Sequence, residues 1–324
     1  MTDPLWIVGA GGLLGQALLR RTPNSFLGRP IPWSHPEEAG RALEVNALRY
    51  AETSRDRWTV VWAAGAAVVA TDEAAADREL EQFRSAVTAI RRHLPGHTGV
   101  FFLSSSAGGI YAGSSRAPFD ENSQAAPLSA YGRLKLAMEQ VAIEVLGDHC
   151  HVVLGRLSNL YGAGQNLDKP QGLISQLCYH TLTRRALSVY VSLETMRDYL
   201  YVDDAASLVS AAIGAARERA EIGASVRVLA SGEPATVARL VGLLERQYRH
   251  RPLLSMGVHP SSAFQVRDLR LRTLYGHEQR GAVRTTLAVG LAQVLRHMSQ
   301  LLRDGAFAAA SGRTDRPYHD GRRR

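Results

Sequence analysis

Tyr131 and Lys135 stand four residues apart in the run Tyr131-Gly132-Arg133-Leu134-Lys135. On a helix that spacing puts both side chains on one face, so both can enter one cleft. A phenol titrates at about 10, too high for easy proton exchange at neutral pH. A neighbouring ammonium favours the phenolate and lowers that value, which makes the pair a candidate acid/base. Of the 38 basic residues only two are lysines, Lys135 and Lys169. A chain that uses arginine almost throughout keeps lysine where a compact ammonium is needed. Ser104-Ser105-Ser106 offers a hydroxyl to orient a substrate oxygen, at the end of an apolar run where ligands collect in open α/β sheets.

A second constellation sits near the start. Gly9-Ala10-Gly11-Gly12-Leu13-Leu14-Gly15 follows the apolar run Leu5-Trp6-Ile7-Val8 and opens a helical stretch. Gly9, Gly12 and Gly15 have the spacing of a dinucleotide loop. The first glycine permits a tight turn, the second lets backbone approach a pyrophosphate, and the third lets helix and strand pack closely. The helix start then offers N–H groups and positive dipole to the phosphates. NAD use ordinarily calls for an acidic residue after the second strand, and Pro23 to Pro36 contains none. Arg29 and Arg41 are candidates for a 2′-phosphate and Ser34 is a small neutral alternative. The loop therefore leans to NADP, with Glu37 and Glu38 just beyond it.

These groups need elements to hold them. Leu5–Val8, Thr59–Ala64, Gly99–Ser104 and His151–Leu154 read as buried strands, with a less clear extended stretch around Ser25 to Trp33. Leu13–Arg21, Glu79–His93 and Ser129–Val145 have helical spacing. Strands alternating with helices imply a Rossmann-type, doubly wound parallel sheet over residues 1–165. Residues 166–307 loosen into a smaller mixed α/β substrate lobe, some segments of which return to the sheet. Its helices are expected near Leu173–Thr183, Ala205–Ala216, Thr236–Tyr248 and Thr286–Leu302, and its strands near Leu187–Val191 and Val226–Leu229. Residues 308–324 lack periodicity and are expected to be a disordered tail.

Composition narrows the class. Hydrophobic residues make up 45% of the 324-residue chain, enough for a large core. No apolar run reaches the length of a membrane span. Cys150 and Cys178 have neither disulfide-framework nor metal-ligand spacing, so no metal is expected and a cytoplasmic setting fits. The net charge is +8, without the aromatic-interleaved basic motif of a nucleic-acid binder.

Taken together, the motifs resemble the extended short-chain dehydrogenase/reductase superfamily, in its nucleotide-sugar epimerase/dehydratase branch. The matching pieces are Gly9 to Gly15, Ala63-Ala64-Gly65, Ser104-Ser105-Ser106 with Ile110-Tyr111, Tyr131 with Lys135, Arg156 to Gly162, and Arg197 to Asp204. The resemblance implies NAD or NADP as cofactor, held by Gly9, Gly11, Gly12, Leu13, Leu14, Gly15, Ala63, Ala64, Gly65, Ser104, Tyr131 and Lys135, with Asn46 near the adenine. It implies Tyr131 as general acid/base, Lys135 as its tuning group, and Ser106 as the catalytic hydroxyl, with Ser105 its rival. It places Ser105, Ser106, Asn159, Leu173, Tyr190 and Arg197 against a nucleoside-diphosphate sugar. A homodimer through the Tyr131 helix is a further expectation by analogy.

Two departures stand out. Ala107-Gly108-Gly109 follows the serines where dehydratases and decarboxylases carry an acidic residue, which argues against both reactions. Glu81-Gln82-Phe83-Arg84 replaces the Asn-x-x-Gly-Thr segment common in epimerases. The leading expectation is 4-epimerisation of an NDP-sugar. The alternative is an NADPH-dependent ketoreductase, and a distant third is a non-catalytic nucleotide- or nucleic-acid-binding scaffold.

Overall fold

The computed structural model describes residues 4–54, 57–167, 172–257, 266–277, 279 and 281–305; the tail expected at 308–324 and Lys169 lie outside them. Its centre is a parallel sheet of five strands in the order β1-β2-β3-β4-β8. These are β1 (Leu5–Val8), β2 (Trp58–Trp62), β3 (Gly99–Ser106), β4 (His151–Leu157) and β8 (Gly223–Leu229). Because successive side chains alternate between faces, each strand feeds two cores. Trp58, Val60, Phe101 and Val152 join one cluster and Val61, Phe102 and Val153 the other.

The first cluster is covered by α2 (Pro36–Thr53), α3 (Glu73–His93) and α5 (Ala130–Leu146), the second by α1 (Leu13–Arg21) and α7 (Val202–Arg219). Helices on both faces are what a parallel sheet requires, since neither face can meet water. Cys150 and Cys178 are free and buried, and burial pushes both thiols up to about 12, so neither is reactive.

The second lobe is built on β5 (Asn159–Tyr161), β7 (Met196–Tyr201) and β11 (Asp268–Leu269), with β9 (Pro234–Thr236) antiparallel on β7. A two-stranded piece pairs β6 (Leu187–Val189) with β10 (Leu254–Met256). Helices α6 (Leu173–Leu182), α8 (Val237–Tyr248) and α9 (Leu287–Arg303) contribute Leu177, Leu240, Leu244, Leu291 and Val294 to its core. The chain passes between lobes repeatedly, since β5 leaves the end of β4 while α7 and β8 return to the sheet.

One region departs from expectation. Of the extended stretch around Ser25 to Trp33, only Phe26 pairs with the sheet, through a single parallel bridge to Trp6. Residues 36–53 then form one helix, which carries the Asn46 expected near the adenine. Asn46 is wholly buried on that helix. Its Oδ1 accepts from the Arg29 N–H at 2.7 Å and its Nδ2 donates to the Arg29 carbonyl at 3.0 Å. It therefore pins the loop at Arg29 and has no face left for adenine. Replacing it leaves two backbone groups without partners. Asn46→Ala should lower unfolding free energy by about 1–3 kcal/mol in urea denaturation.

Candidate active site

All five sheet strands run the same way, so the residues after Val8, Trp62, Leu103, Leu157 and Leu229 gather along one edge. This edge carries the glycine loop, Ala63-Ala64-Gly65, the three serines and, through β5, Asn159.

The glycine loop is shaped by close approach. Gly9 has φ +90°, and a Cβ there would lie 2.5 Å from the Ala64 nitrogen. A Cβ at Gly15 would overlap the Gly9 carbonyl oxygen, which also accepts from Gly12 N–H at 3.0 Å. Gly11 and Gly12 are exposed, and Leu13 and Leu14 begin α1. No side chain caps α1, whereas Asp72 caps α3 and Ser129 caps α5. An open, uncapped helix start behind a glycine turn fits a dinucleotide pyrophosphate. Arg29 and Ser34 are both exposed on the loop that Asn46 pins, and Ser34 Oγ is 3.0 Å from His35 Nδ1.

Lys135 is 6% exposed, with Nζ 5.8 Å from the Tyr131 ring centroid and 3.8 Å from Met138 Sδ. Tyr131 is half-buried in the first turn of α5. Its neighbour across the cleft is α4 (Ala107–Ile110), a short helix formed by Ala107-Gly108-Gly109-Ile110. A Cβ on Gly109 would lie 3.0 Å from Tyr131 Cε1, and one on Gly132 would overlap the Gly109 carbonyl. Glycine at both positions lets α4 and α5 touch.

The serines divide by strand alternation. Ser106 Oγ caps α4 by accepting from the Gly109 N–H at 3.1 Å, which leaves its hydroxyl hydrogen to donate. Ser104 is half-buried on the same face of β3. Ser105 points the other way, is buried, and donates to Glu139 Oε1 at 2.6 Å. Its hydroxyl is spent inside the protein, so the expected substrate contact is corrected to a structural one.

Glu139 lies four residues beyond Lys135 and is clamped by Arg156, Nε to Oε1 at 3.0 Å and Nη2 to Oε2 at 2.7 Å. Arg156 Nη1 also donates to Tyr111 Oη at 2.7 Å. Burial opposes the guanidinium's charge, yet Glu139 holds its pKa above the ordinary value. Burial raises the Tyr111 phenol despite Arg156 beside it. Sequence reading placed Arg156 only within a motif and did not single out Glu139; their partnership crosses from helix to strand and has no local signature. Glu79 was also missed. It stands four residues before Phe83 on the buried face of α3, and its Oε2 accepts from the backbone of Ala66 and Ala67 at 3.0 and 2.9 Å.

Across the cleft, Asn159 is exposed and donates from Nδ2 to the Asp198 carbonyl at 2.9 Å, leaving one amide hydrogen free. Asp198 is fully buried and accepts from Ser231 N–H, Ser231 Oγ and Gly232 N–H, each at 2.8 Å. Arg197 is buried, and burial holds its guanidinium below its ordinary value; Nη1 donates to the Met196 carbonyl at 2.8 Å. Leu173, half-buried, opens α6, and Tyr190 is 43% exposed just after β6. Among the described residues no His/Cys/Asp/Glu group could hold a metal, and no helix is long and apolar enough to cross a membrane.

Comparison with known proteins bears on the family and the fold. Residues 5–223 match the family model described as the NAD dependent epimerase/dehydratase family. A dTDP-4-dehydro-6-deoxyglucose reductase of Escherichia coli is 28% identical over 171 residues, 51% of this chain and 52% of that one. The chain thus spans about half the length of the curated relative it matches. Among solved structures, the UDP-glucose 4-epimerase of Thermotoga maritima with UDP-glucose superposes with a TM-score of 0.73 at 18% identity, covering 92% of this chain and 99% of that one. MoeE5 with UDP-glucose and NAD gives 0.72 at 21% identity, with the same coverages. At these identities the solved structures speak for the fold. With the model match covering more than half its length, the chain belongs to the NAD dependent epimerase/dehydratase family.

Proposed function

We infer that the protein transfers a hydride at C4 of a nucleoside-diphosphate sugar, in the reductive direction with NADPH. The observation that carries the reading is Lys135, nearly buried beside Tyr131 on the sheet edge that also presents Ser106. When bound, the dihydronicotinamide supplies the hydride. Ser106 donates a hydrogen bond to the sugar's carbonyl oxygen. Tyr131 gives that oxygen a proton as the hydride arrives at carbon, and recovers one from water afterwards. Lys135 stabilises the phenolate left behind and holds the nicotinamide ribose. Asn159 and Arg197 would meet the diphosphate, and the exposed ring of Tyr190 the base.

The choice of NADPH rests on Arg29. Asn46 fixes its backbone three residues beyond the sheet pairing of Phe26, where NAD-binding relatives place an acid. The name of the curated relative supports a 4-keto sugar as substrate. Two buried free thiols support a cytoplasmic setting.

4-Epimerisation, the leading expectation from the family resemblance, is the second reading. It uses the same three groups in both directions and needs the dinucleotide kept throughout. The family description, which names epimerases, supports it.

Mass spectrometry of nucleotide released from the purified protein separates the two. Empty protein that oxidises NADPH with an NDP-4-keto-6-deoxyhexose supports reduction. Stoichiometric bound NAD with turnover of an NDP-hexose supports epimerisation. Tyr131→Phe should abolish turnover under either reading while dinucleotide affinity, measured by calorimetry, stays within about threefold. Lys135→Arg should be nearly inactive despite its charge, since a planar guanidinium cannot take the ammonium's place. Arg29→Ala should raise KM for NADPH about 10-fold or more and leave that for NADH almost unchanged, as loss of a charge-assisted phosphate contact requires. Equal effects on both cofactors would refute the Arg29 assignment.

A further inference from the structure

Glu79 meets the Ser106, Tyr131 and Lys135 group from a third element, α3. While Oε2 is held by the Ala66 and Ala67 N–H groups, Oε1 is buried with no hydrogen-bond partner and lies 4.0 Å from Lys135 Nζ. The two side chains are only 14% and 7% exposed. Gly65 closes the arrangement, since a Cβ there would stand 3.1 Å from Glu79 Oε1 and 3.4 Å from Lys135 Nζ. On its own helix, Lys135 Nζ meets the Tyr131 ring, 5.8 Å from its centroid, and the soft Met138 sulfur at 3.8 Å, neither of them a charge. A nearly buried ammonium is costly unless an opposite charge stands close, and Glu79 supplies one in a setting where water screens little. A carboxylate needed only to tie the loop would have no reason to keep its second oxygen dry and directed at the lysine.

We propose that Glu79 is a positioning residue for Lys135, clamping its ammonium to the loop after β2 so that the nicotinamide-ribose end of the cofactor site is set before binding. The role rests on the dinucleotide reading above. Glu79 touches neither reacting atoms nor substrate, and acts through Lys135.

The test is calorimetric titration of wild type, Glu79→Gln, Lys135→Met and the double variant. The probes are NADP⁺ and NAD⁺, set against 2′,5′-ADP and ADP, which lack the nicotinamide ribose. Glutamine keeps an oxygen for the Ala66 and Ala67 N–H groups and removes the charge. Glu79→Gln should weaken binding of the preferred dinucleotide about 5- to 20-fold, leave the half-cofactors within about twofold, and add nothing on top of Lys135→Met, as residues acting through one another do not add. Equal weakening of the half-cofactors, together with a lower melting temperature, would make Glu79 a merely structural loop tie and overturn the proposal. So would unchanged dinucleotide affinity, or a full additive loss in the double variant. If wild type binds neither dinucleotide, the cofactor reading itself falls and Glu79's role with it. A silent Glu79→Gln in a protein that binds well removes only the clamp.

Discussion

Tyr131, Lys135 and Glu139 stand four residues apart on one stripe of α5, and the last is gripped by Arg156 from β4. That buried pair locks the helix against the sheet. Glu139 also takes the Ser105 hydroxyl, and Arg156 also reaches Tyr111, so the end of β3 and the segment after α4 are tied to the same point. Removing two charges from water is expensive, and a buried pair repays it only when its hydrogen-bonding groups are well matched. Here each Glu139 oxygen has a donor and three Arg156 nitrogens have acceptors. The benefit lies less in net stability than in register: α5 cannot slide without breaking the network, and Tyr131 and Lys135 move with α5.

Glycine completes what the ion pair begins. Backbone meets backbone where Gly9 passes Ala64, where Gly15 passes Gly9, and where Gly132 passes Gly109. Each contact brings a loop of the sheet edge closer than any side chain would allow. The first two make the phosphate turn. The third brings the Ser106-capped helix against the Tyr131 ring although 25 residues part Ser106 from Tyr131 in sequence.

With 36–53 helical, α2 packs Leu43, Ala47 and Tyr50 into the sheet's first core, and Tyr50 Oη donates to the Pro4 carbonyl at 2.6 Å and also contacts the Thr59 backbone. Asn46 on the same helix then does for the Arg29 loop what a neighbouring strand would have done, by bonding both of its backbone polar groups.

Much of this was legible in the residues alone. The alternation of buried strands and amphipathic helices identified a doubly wound parallel sheet, because hydrophobic period is a local property. The glycine turn and the Tyr131–Lys135 spacing were equally local, so their elements were found within a few residues of their observed ends. Position along a strand also separates Ser106 from Ser105, yet the sequence left them as rivals, since both faces of a buried strand are apolar in environment until one knows what covers each. Asn46 was misassigned for a similar reason: the helix that carries it has an ordinary amphipathic pattern, but its partner, the Arg29 backbone, is 17 residues away and invisible to periodicity. Glu79, Glu139 and Arg156 are charges on buried faces, and a charge is buried only where partners from other elements meet it. The sequence determined which groups could do chemistry and which elements carry them. Only the tertiary structure decided which hydroxyl stays free and which charges hold the others in place, because those outcomes depend on contacts between segments far apart in the chain.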